Sequence, residues 1–277
     1  MNEISNIQIG CQSWGYDDWV TKAGGEPVFY PRGTKPDQML ELYSQVFDTI
    51  EIDSTAYGMP SASTIEKWCG QTPDNFTFSL KVPREITHER GLDASSFPVM
   101  ELFAERAAAF GVKLGCVLVQ LPAHFEADKP NALNLRRFVE CLTPELRFAF
   151  EFRNPGWFTE WTFQELAESG VGLALVEGPW IERDVVLRSI NAAECVFAYI
   201  RLMEERNLTV FDRIYRRKDE NLELWSKAVK KMTARDIFIY ADNYYEGHSP
   251  ATANQLKKLL NLPVTPPQIL KTQGSLF

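Results

Sequence analysis

Several charged or amide side chains lie at the ends of short hydrophobic runs. If these runs are β-strands, whose side chains alternate between two faces, the polar side chains share one face. Paired carboxylates can move protons, and cationic side chains can hold an anion. We therefore expect Glu51 and Glu151 to transfer protons, with Lys81 taking part in catalysis or, like Arg153, holding a negative group. The full set of polar residues is Glu51, Asp53, Lys81, Gln120, Glu151, Arg153, Arg201 and Asn243, with Glu177 as a further candidate.

The same residues admit a structural interpretation. Buried charges persist only when they are paired or used, so Glu151 with Arg153, or Glu51 with Lys81, would also serve as salt bridges that close a barrel. Lys81 suits a Schiff base, a phosphate contact or an ion pair. The two glutamates suit the acid and base of a glycosidase only if their separation fits, and the sequence does not give that distance.

The three histidines follow predicted strands. His88 and His248 suit proton transfer or substrate orientation, and His124 follows Gln120-Leu121-Pro122. None has the spacing of a metal-binding helix, so no cofactor is predicted. A divalent metal held by loop histidines and carboxylates stays open as an alternative.

Alternating short strands and helices must position these residues. The pattern predicts strands at residues 7–14, 49–57, 76–83, 114–122, 147–153, 173–177, 196–203 and 236–243. It predicts helices at residues 36–46, 61–70, 99–110, 132–142, 162–169, 221–233 and 251–260. Eight such strands without a flexible linker predict an α/β fold, a single (β/α)₈ TIM-type barrel over residues 1–262 with a flexible tail at 263–277.

An open doubly wound sheet is the alternative fold. That fold predicts a glycine-rich phosphate turn after the first strand, but residues 10–15 read GCQSWG, which does not match G-x-G-x-x-G. The barrel is therefore favoured, and its chemistry is expected at the carboxyl ends of the strands. Two long connections, 15–35 and 204–218, leave that same face.

Composition narrows the class of protein. The 277 residues carry a formal charge of −8, which argues against a sequence-blind coat on DNA. The five cysteines are far apart and form no C-x-x-C pair, which fits a reducing compartment. With neither a secretory leader nor a membrane-length apolar run, we expect a cytoplasmic protein without a membrane partner.

The sequence resembles the YecE-like proteins, a family of domains of unknown function (DUF72). The resemblance rests on segments that follow one another along nearly the whole chain: IGCQSWGYDDW (9–19), VFYPRG (28–33), FDTIEIDSTAYGMP (47–60), FTFSLKVPREITH (76–88), VLVQLPAHF (117–125), FEFRNPGWF (150–158), YIRL (199–202) and YADNYYEGHSPATA (240–253). The resemblance implies a TIM-type barrel but supplies no reaction, because the activity of the family is unassigned.

The resemblance also implies site residues. Its recurring polar positions correspond here to Glu51, Lys81, His88, Gln120, Glu151, Arg153, Arg201 and Asn243, and its aromatic motifs place Trp14, Tyr16, Trp19 and Tyr57 around a pocket. This chain departs from the family at Asp242, where an asparagine is usual, and after Arg201, where a glycine often follows. Both departures bear on the identity of the ligand.

Two segments suggest partners. Residues 211–218 interleave four basic and two aromatic side chains, which suits a phosphate or a nucleotide backbone, or else a solvated loop paired with Asp219 and Glu220. The chain ends in QGSLF, which resembles the peptide that docks bacterial repair proteins on the sliding clamp. Gln273, Leu276 and Phe277 would then bind that partner.

We therefore expect an enzyme, a hydrolase or isomerase of a small polar, phosphorylated or nucleotide-like substrate, with Arg153, Arg201, Gln120, Asn243, Trp14 and Tyr57 binding the substrate. In a variant of this hypothesis the substrate is a phosphodiester bound at the carboxyl ends of the strands. The protein would then be a DNA-repair hydrolase recruited by its tail. The rival hypothesis is a non-catalytic sensor or adaptor that binds a metabolite in the barrel and a partner through its tail.

Overall fold

Eight parallel strands close into a barrel in sequential order, from the first strand to the eighth and back to the first. The structure is a computed structural model that describes residues 5–190 and 197–266. Its strands are β1 Asn6–Gln12, β2 Thr49–Ile52, β3 Thr77–Lys81, β4 Leu114–Gln120, β5 Phe148–Glu151, β6 Gly172–Glu177, β7 Phe197–Leu202 and β8 Asp236–Ala241. The predicted TIM-type barrel is confirmed.

Helices follow most strands and cover the outside of the barrel. Within the described ranges they are α1 Met39–Tyr43, α2 Ala62–Gly70, α3 Phe97–Ala108, α4 Lys129–Glu140, α5 Glu160–Glu168, α6 Arg183–Arg188, α7 Asp219–Val229, α8 Asn243–Glu246 and α9 Ser249–Leu259. Side chains cap the starts of several: Ser61 accepts a hydrogen bond from the Thr64 amide, and Asp128 from that of Asn131. No helix of the described chain is both long and apolar enough to cross a membrane.

Alternation separates the core into two layers. Phe148, Phe150 and Phe152 pack outward beneath the helices as predicted, whereas Ala149 faces the barrel interior. The interior cluster comprises Cys116, Leu118, Ala149, Ala174, Val176, Phe197, Tyr199, Met203, Phe238 and Tyr240. It is a packed core rather than a pore, so the interior of the barrel has no room for a ligand.

Several predicted strands are too long at their carboxyl ends. Residues 49–57 contain only four strand residues, because Asp53–Ala56 turns into a 3₁₀ helix. Likewise the strand predicted for 236–243 ends at Ala241, and Asn243 begins helix α8. These early ends place residues that follow the strands on loops at the mouth.

Candidate active site at the barrel mouth

Five predicted site residues do lie on the inward side near the carboxyl ends of their strands. Gln120 of β4 is in register with Glu151 of β5, and Glu51 of β2 is in register with Gln12 of β1. Lys81 is the last residue of β3. Arg201 lies on β7 two residues after Tyr199, so the two side chains are on the same face of the strand. The closed barrel therefore brings together residues that are up to 150 positions apart in sequence.

Three of these residues form a buried ionic layer, which we define as Glu51, Glu151 and Arg201. The Arg201 guanidinium donates to Glu51 Oε1 at 2.7 Å and to Glu51 Oε2 at 2.9 Å. Its remaining terminal nitrogen donates to Glu151 Oε2. Both carboxylates are wholly buried and Arg201 is only 1% exposed. One guanidinium thus satisfies two carboxylates that a ligand in the mouth does not reach directly.

Two further side chains donate hydrogen bonds to the carboxylates of the ionic layer. The Tyr199 hydroxyl donates to Glu51 Oε2 at 2.7 Å, and Arg153 Nε donates to Glu151 Oε1 at 2.8 Å. Burial opposes ionisation of Glu151, but Arg201, Arg153 and Lys81 outweigh it and lower the pKa of Glu151 to about 2. The carboxylate therefore stays ionised at neutral pH, which suits an anchor for arginines better than a general acid.

Above this layer lies an open cleft of about 540 Å³, which we call the cationic cleft. Loops after β2, β3, β5, β6 and β7 and the end of β4 form its walls. Its lining residues are Tyr57, Lys81, Arg84, Gln120, Arg153, Pro179, Trp180, Met203, Glu204, Glu205 and Arg206. Four cationic side chains from three loops or strand ends therefore reach one space.

The ion pairs around the cleft differ from those considered in the sequence. Lys81 Nζ pairs with Asp53 Oδ1 at 3.1 Å, not with Glu51. The alternative pair of Glu151 with Arg153 is present. Glu204 is bound by Lys218. In the described part of the chain, no carboxylate lies within ion-pair distance of Arg84, and none lies that close to Arg206.

Trp180 is a cleft residue that the sequence pattern did not single out. The Arg153 guanidinium lies over its indole at 3.6 Å from the ring centroid. Gly178 makes room for this ring, because a Cβ at that position would lie 2.9 Å from an indole carbon. The stack fixes Arg153 at the edge of the cleft. The only sequence signal for it is an aromatic residue three positions after a strand end.

His88 lies on a π-helical turn, Glu85–Glu89, that follows β3. Its Nδ1 and the Thr87 hydroxyl are 2.8 Å apart. Burial, together with the charges of Arg84, Lys81 and Arg153, lowers the pKa of His88 to about 4. The imidazole is therefore neutral at pH 7, and a neutral imidazole can accept a proton.

Asp242, rather than Asn243, continues the inward-facing series of β8, one residue beyond the end of the strand, and it is buried. Phe238 and Tyr240 lie in the interior cluster, whereas Ile239 packs outside, so the predicted inward orientation of Asn243 is wrong. Asn243 Oδ1 instead accepts hydrogen bonds from the backbone and hydroxyl of Ser249, both at 2.9 Å. This contact lies at the start of helix α9.

The surroundings of Asp242 are mixed in charge. Its Oδ1 accepts a hydrogen bond from the Tyr244 amide at 3.3 Å. Burial and the nearby Asp53 raise the pKa of Asp242, while the Tyr244 bond, Arg201 and Arg206 oppose them, and the result is a pKa of about 6. A carboxyl group that titrates so close to neutrality is suited to proton transfer.

The predicted aromatic wall is only partly present. Tyr57 lines the cationic cleft with its side chain largely exposed. Trp14 instead packs edge-on against Trp68 of helix α2, with 5.4 Å between ring centroids. Tyr16 packs against the wholly buried Trp19. Of the four aromatic positions, Tyr57 is the one that borders the cleft.

Three other sequence candidates lie elsewhere. His248 is buried beside Trp19, and burial lowers its pKa to about 4. Glu177 faces outward, where it accepts a hydrogen bond from Asn221 at 2.5 Å and another from Trp225 of helix α7. His124 is exposed on the loop after β4. Among the described residues, no group of three or more histidines, cysteines or carboxylates is arranged to hold a metal ion.

The basic segment 211–218 is engaged within the chain. Arg217 Nε pairs with Asp219 at 2.8 Å, Arg213 lies over the Tyr215 ring, and Lys218 binds Glu204. These contacts favour the interpretation of a paired surface loop. The tail residues Gln273, Leu276 and Phe277 lie outside the described residues, so the clamp-binding peptide stays a prediction.

Comparison with known proteins bears on the family and the fold. A family model described as "Protein of unknown function DUF72" matches residues 8–273. The UPF0759 protein YunF of Bacillus subtilis is 25% identical over 92% of this chain and 95% of its own length. The UPF0759 protein YecE of Escherichia coli K12 is 27% identical, over 60% of this chain and 55% of its own length.

Solved structures agree with the barrel. A DUF72 family protein from Thermotoga maritima superposes with a TM-score of 0.74 at 25% identity, covering 92% of this chain and 99% of that one. A DUF72 family protein from Enterococcus faecalis superposes with a TM-score of 0.71 at 22% identity, covering 94% and 98% of the two chains. The family match spans most of the sequence, and the chain therefore belongs to the DUF72 family of proteins of unknown function.

Proposed function

We propose that this protein is an enzyme that binds a small phosphorylated substrate in the cationic cleft and acts on it by acid–base chemistry. One observation carries the proposal: Lys81, Arg84, Arg153 and Arg206 all line a single cleft of about 540 Å³. A space of that size is typical of small-molecule sites. Arginine is the side chain best matched to a phosphate group, because its guanidinium donates in a planar fork.

The positive charges of the cleft are not all paired with carboxylates of the described chain, so the cleft can attract an anion. Lys81 is neutralised by Asp53, and Arg153 shares Glu151 with Arg201. Arg84 is exposed and Arg206 lies over the Tyr244 ring, and neither has a carboxylate partner among the described residues. Glu205 also borders the cleft, while Glu204 is taken by Lys218. An incoming phosphate would therefore meet two guanidinium groups that form no ion pair, of which Arg84 is exposed and Arg206 lies in the field of Asp242 and Asp53.

The groups available for proton transfer differ from the pair that the sequence suggested. Glu51 and Glu151 are saturated by arginines, and we assign them the role of positioning Arg201 and Arg153. We assign proton transfer instead to His88, which is neutral at pH 7 and lies near the charges of Arg84, Lys81 and Arg153, and to Asp242, which titrates near pH 6 and lies near Arg206. Hydrolysis or isomerisation of a phosphorylated compound needs such a base and acid.

Binding without turnover is the second candidate function. It is favoured by the fact that both inward glutamates are held by Arg201, which leaves the layer beneath the cleft without a free carboxylate. A sensor would use the same cationic cleft for a phosphorylated metabolite. The two functions differ in the fate of the bound compound, so one set of assays separates them.

Binding is tested first, by calorimetric titration with inorganic phosphate and with ribose 5-phosphate. We expect Arg84→Ala to weaken binding of both by about tenfold, since charge-assisted hydrogen bonds of this kind contribute about 1.5–3 kcal/mol. Arg235→Ala is the matched control, because Arg235 is exposed just before β8, at the opposite end of the barrel. Absence of binding, or equal losses in both variants, would contradict the proposal.

Turnover is tested next on a panel of phosphate esters and sugar phosphates. For an enzyme, His88→Gln should abolish the reaction while phosphate binding stays within about threefold of the wild type. Binding by the wild type with no conversion of any member of the panel would favour the sensor.

A further inference from the structure

A second depression adjoins the cationic cleft on the side of β2 and β3. It has a volume of about 530 Å³ and shares Tyr57 and Arg84 with the cleft, so the two spaces adjoin at these two residues. The rest of its lining is mainly apolar: Ala56, Gly58, Met59, Pro83, Val99 and Leu102, with Glu85 and Glu89 at its edge. We call this space the apolar annex.

The annex exposes side chains that proteins usually bury. Tyr57 is 70% exposed and Leu102 is 50% exposed, and both face the same depression. No ring–ring contact of Tyr57 occurs within the described ranges. Contiguous apolar exposure beside polar groups commonly marks a binding surface. An aromatic ring such as that of Tyr57 can stack on a planar ligand at little conformational cost.

The polar groups of the annex narrow the kind of occupant. Glu85 is already paired with Arg90, whereas the Arg84 guanidinium stands at the boundary with the cleft. A hydrocarbon chain would make no use of Glu89, but a heteroaromatic ring carries edge donors for that carboxylate and a π-face for Tyr57. Because the two spaces adjoin at Tyr57 and Arg84, a molecule that extends past these side chains would occupy both.

We infer that the apolar annex is a subsite for a nucleobase, so that the ligand of the cationic cleft is a nucleoside monophosphate rather than a sugar phosphate. The phosphate contacts the arginines of the cleft, the ribose crosses the boundary at Arg84, and the base lies against Tyr57 and Leu102. This inference rests on the proposed function, because it takes the phosphate site in the cleft as given.

Calorimetric titration with AMP, ribose 5-phosphate and inorganic phosphate tests the inference. We expect AMP to bind at least about tenfold more tightly than ribose 5-phosphate, the scale of one base–aromatic stack. Tyr57→Ala should weaken the binding of AMP about tenfold more than it weakens the binding of ribose 5-phosphate, because only AMP loses the stack on its base, while Tyr57→Phe should retain the advantage of AMP. Trp161→Ala is the control, since Trp161 is an exposed aromatic residue that lines neither space.

Saturation-transfer NMR on the wild-type protein gives a second readout that needs no variant. The base protons of AMP should receive more saturation than the ribose protons, because the base lies in the annex. The reverse order would place the base in solvent and overturn the inference.

The outcomes separate the two proposals. If neither phosphate nor ribose 5-phosphate binds, the phosphate site itself is absent and the proposed function fails with the inference. If both bind but AMP gains nothing, or if Tyr57→Ala weakens all three ligands equally, the annex is not a base subsite and the proposed function stands.

Discussion

The buried ionic layer lies on the strands, whereas the cationic cleft is formed mostly by the loops that follow them, and the charges of the two regions are used differently. In the layer, Arg201 binds Glu51 and Glu151, and all three are sealed from solvent. In the cleft, Arg84 and Arg206 border open space and have no carboxylate partner among the described residues. Arg153 belongs to both regions, because it pairs with Glu151 and stacks on Trp180.

The difference shows which charged residues of a barrel mouth are free to bind a ligand. Charges that face inward on the strands lie at the depth where water is excluded, so each must be paired within the chain. Arg84 and Arg206, three and four residues beyond the ends of β3 and β7, are exposed to solvent, where an unpaired cation costs little. Stability and ligand binding are therefore expected to divide between the two regions, and each prediction below tests that division.

The largest effect is expected from Arg201→Met, which leaves two buried carboxylates without their shared cation. Removing one partner of a buried ion pair costs about 3–5 kcal/mol. Urea unfolding monitored by circular dichroism gives the free energy of unfolding. Arg84→Met, at an exposed position in the cleft, should stay within about 0.5 kcal/mol of the wild type. Similar losses in the two variants would remove the distinction between the layer and the cleft.

Asp242 lies between the two regions and links them to pH. Its folded-state pKa of about 6 exceeds the ordinary 3.8, so the folded chain binds the extra proton in that interval. The contribution of Asp242 to the free energy of unfolding is therefore complete below about pH 4 and is lost as the pH rises through 6. Asp242→Asn keeps the hydrogen bond to the Tyr244 amide and removes the buried charge.

We expect the free energy of unfolding of Asp242→Asn, minus that of the wild type, to rise by on the order of 2 kcal/mol between pH 4 and pH 7. Both histidines with lowered pKa, His88 and His248, are present in both proteins, so their contributions cancel in the difference. The charged and titratable groups near Asp242 are Arg201, Arg206, Asp53, Tyr16 and Tyr244. A difference that does not change with pH would mean that Asp242 does not titrate in this interval.

A smaller loss is expected from Tyr199→Phe. The Tyr199 hydroxyl donates to Glu51 at 2.7 Å inside the ionic layer, and Arg201 still holds that carboxylate in the variant. A lost hydrogen bond to a buried charged group costs about 1.5–3 kcal/mol, and the lower value applies because the charge stays paired. Phosphate affinity should not change. A variant that folds normally but binds phosphate poorly would show that the layer and the cleft act together.

The sequence predicts the barrel well because its signal is regular. Alternation separates Phe148, Phe150 and Phe152 from Ala149 without reference to any other part of the chain. The same rule places Glu51, Lys81, Gln120, Glu151 and Arg201 inside, and the closed barrel makes them neighbours. Alternation does not predict how deeply a side chain is buried. Glu51, Glu151 and Arg201 are buried so deeply that they bind one another instead of a ligand.

The errors arise where a strand ends before the pattern suggests. At β8 the predicted alternation is shifted by one residue. It assigned the inward position to Asn243, but Ile239 faces outward, so the inward position belongs to Asp242. Beyond the strands no period exists, so Arg84, Arg206 and Trp180 carried no signal apart from their nearness to a strand end. Loop residues are placed by contacts that become visible only in three dimensions, such as the stack of Arg153 on Trp180.

That stack gives the smallest predicted effect on stability. A methyl group at Gly178 would lie 2.9 Å from the Trp180 ring, so Gly178→Ala must displace the indole on which Arg153 rests. Because Trp180 is half-buried and can move toward solvent, the free energy of unfolding should change by no more than about 1 kcal/mol. Phosphate affinity should nonetheless fall severalfold, since Arg153 loses the surface that holds it in the cleft. Gly15→Ala is the control, because a Cβ there meets open space. Unchanged phosphate affinity in Gly178→Ala would show that Glu151 alone positions Arg153, which would assign that arginine to the buried layer rather than to the cleft.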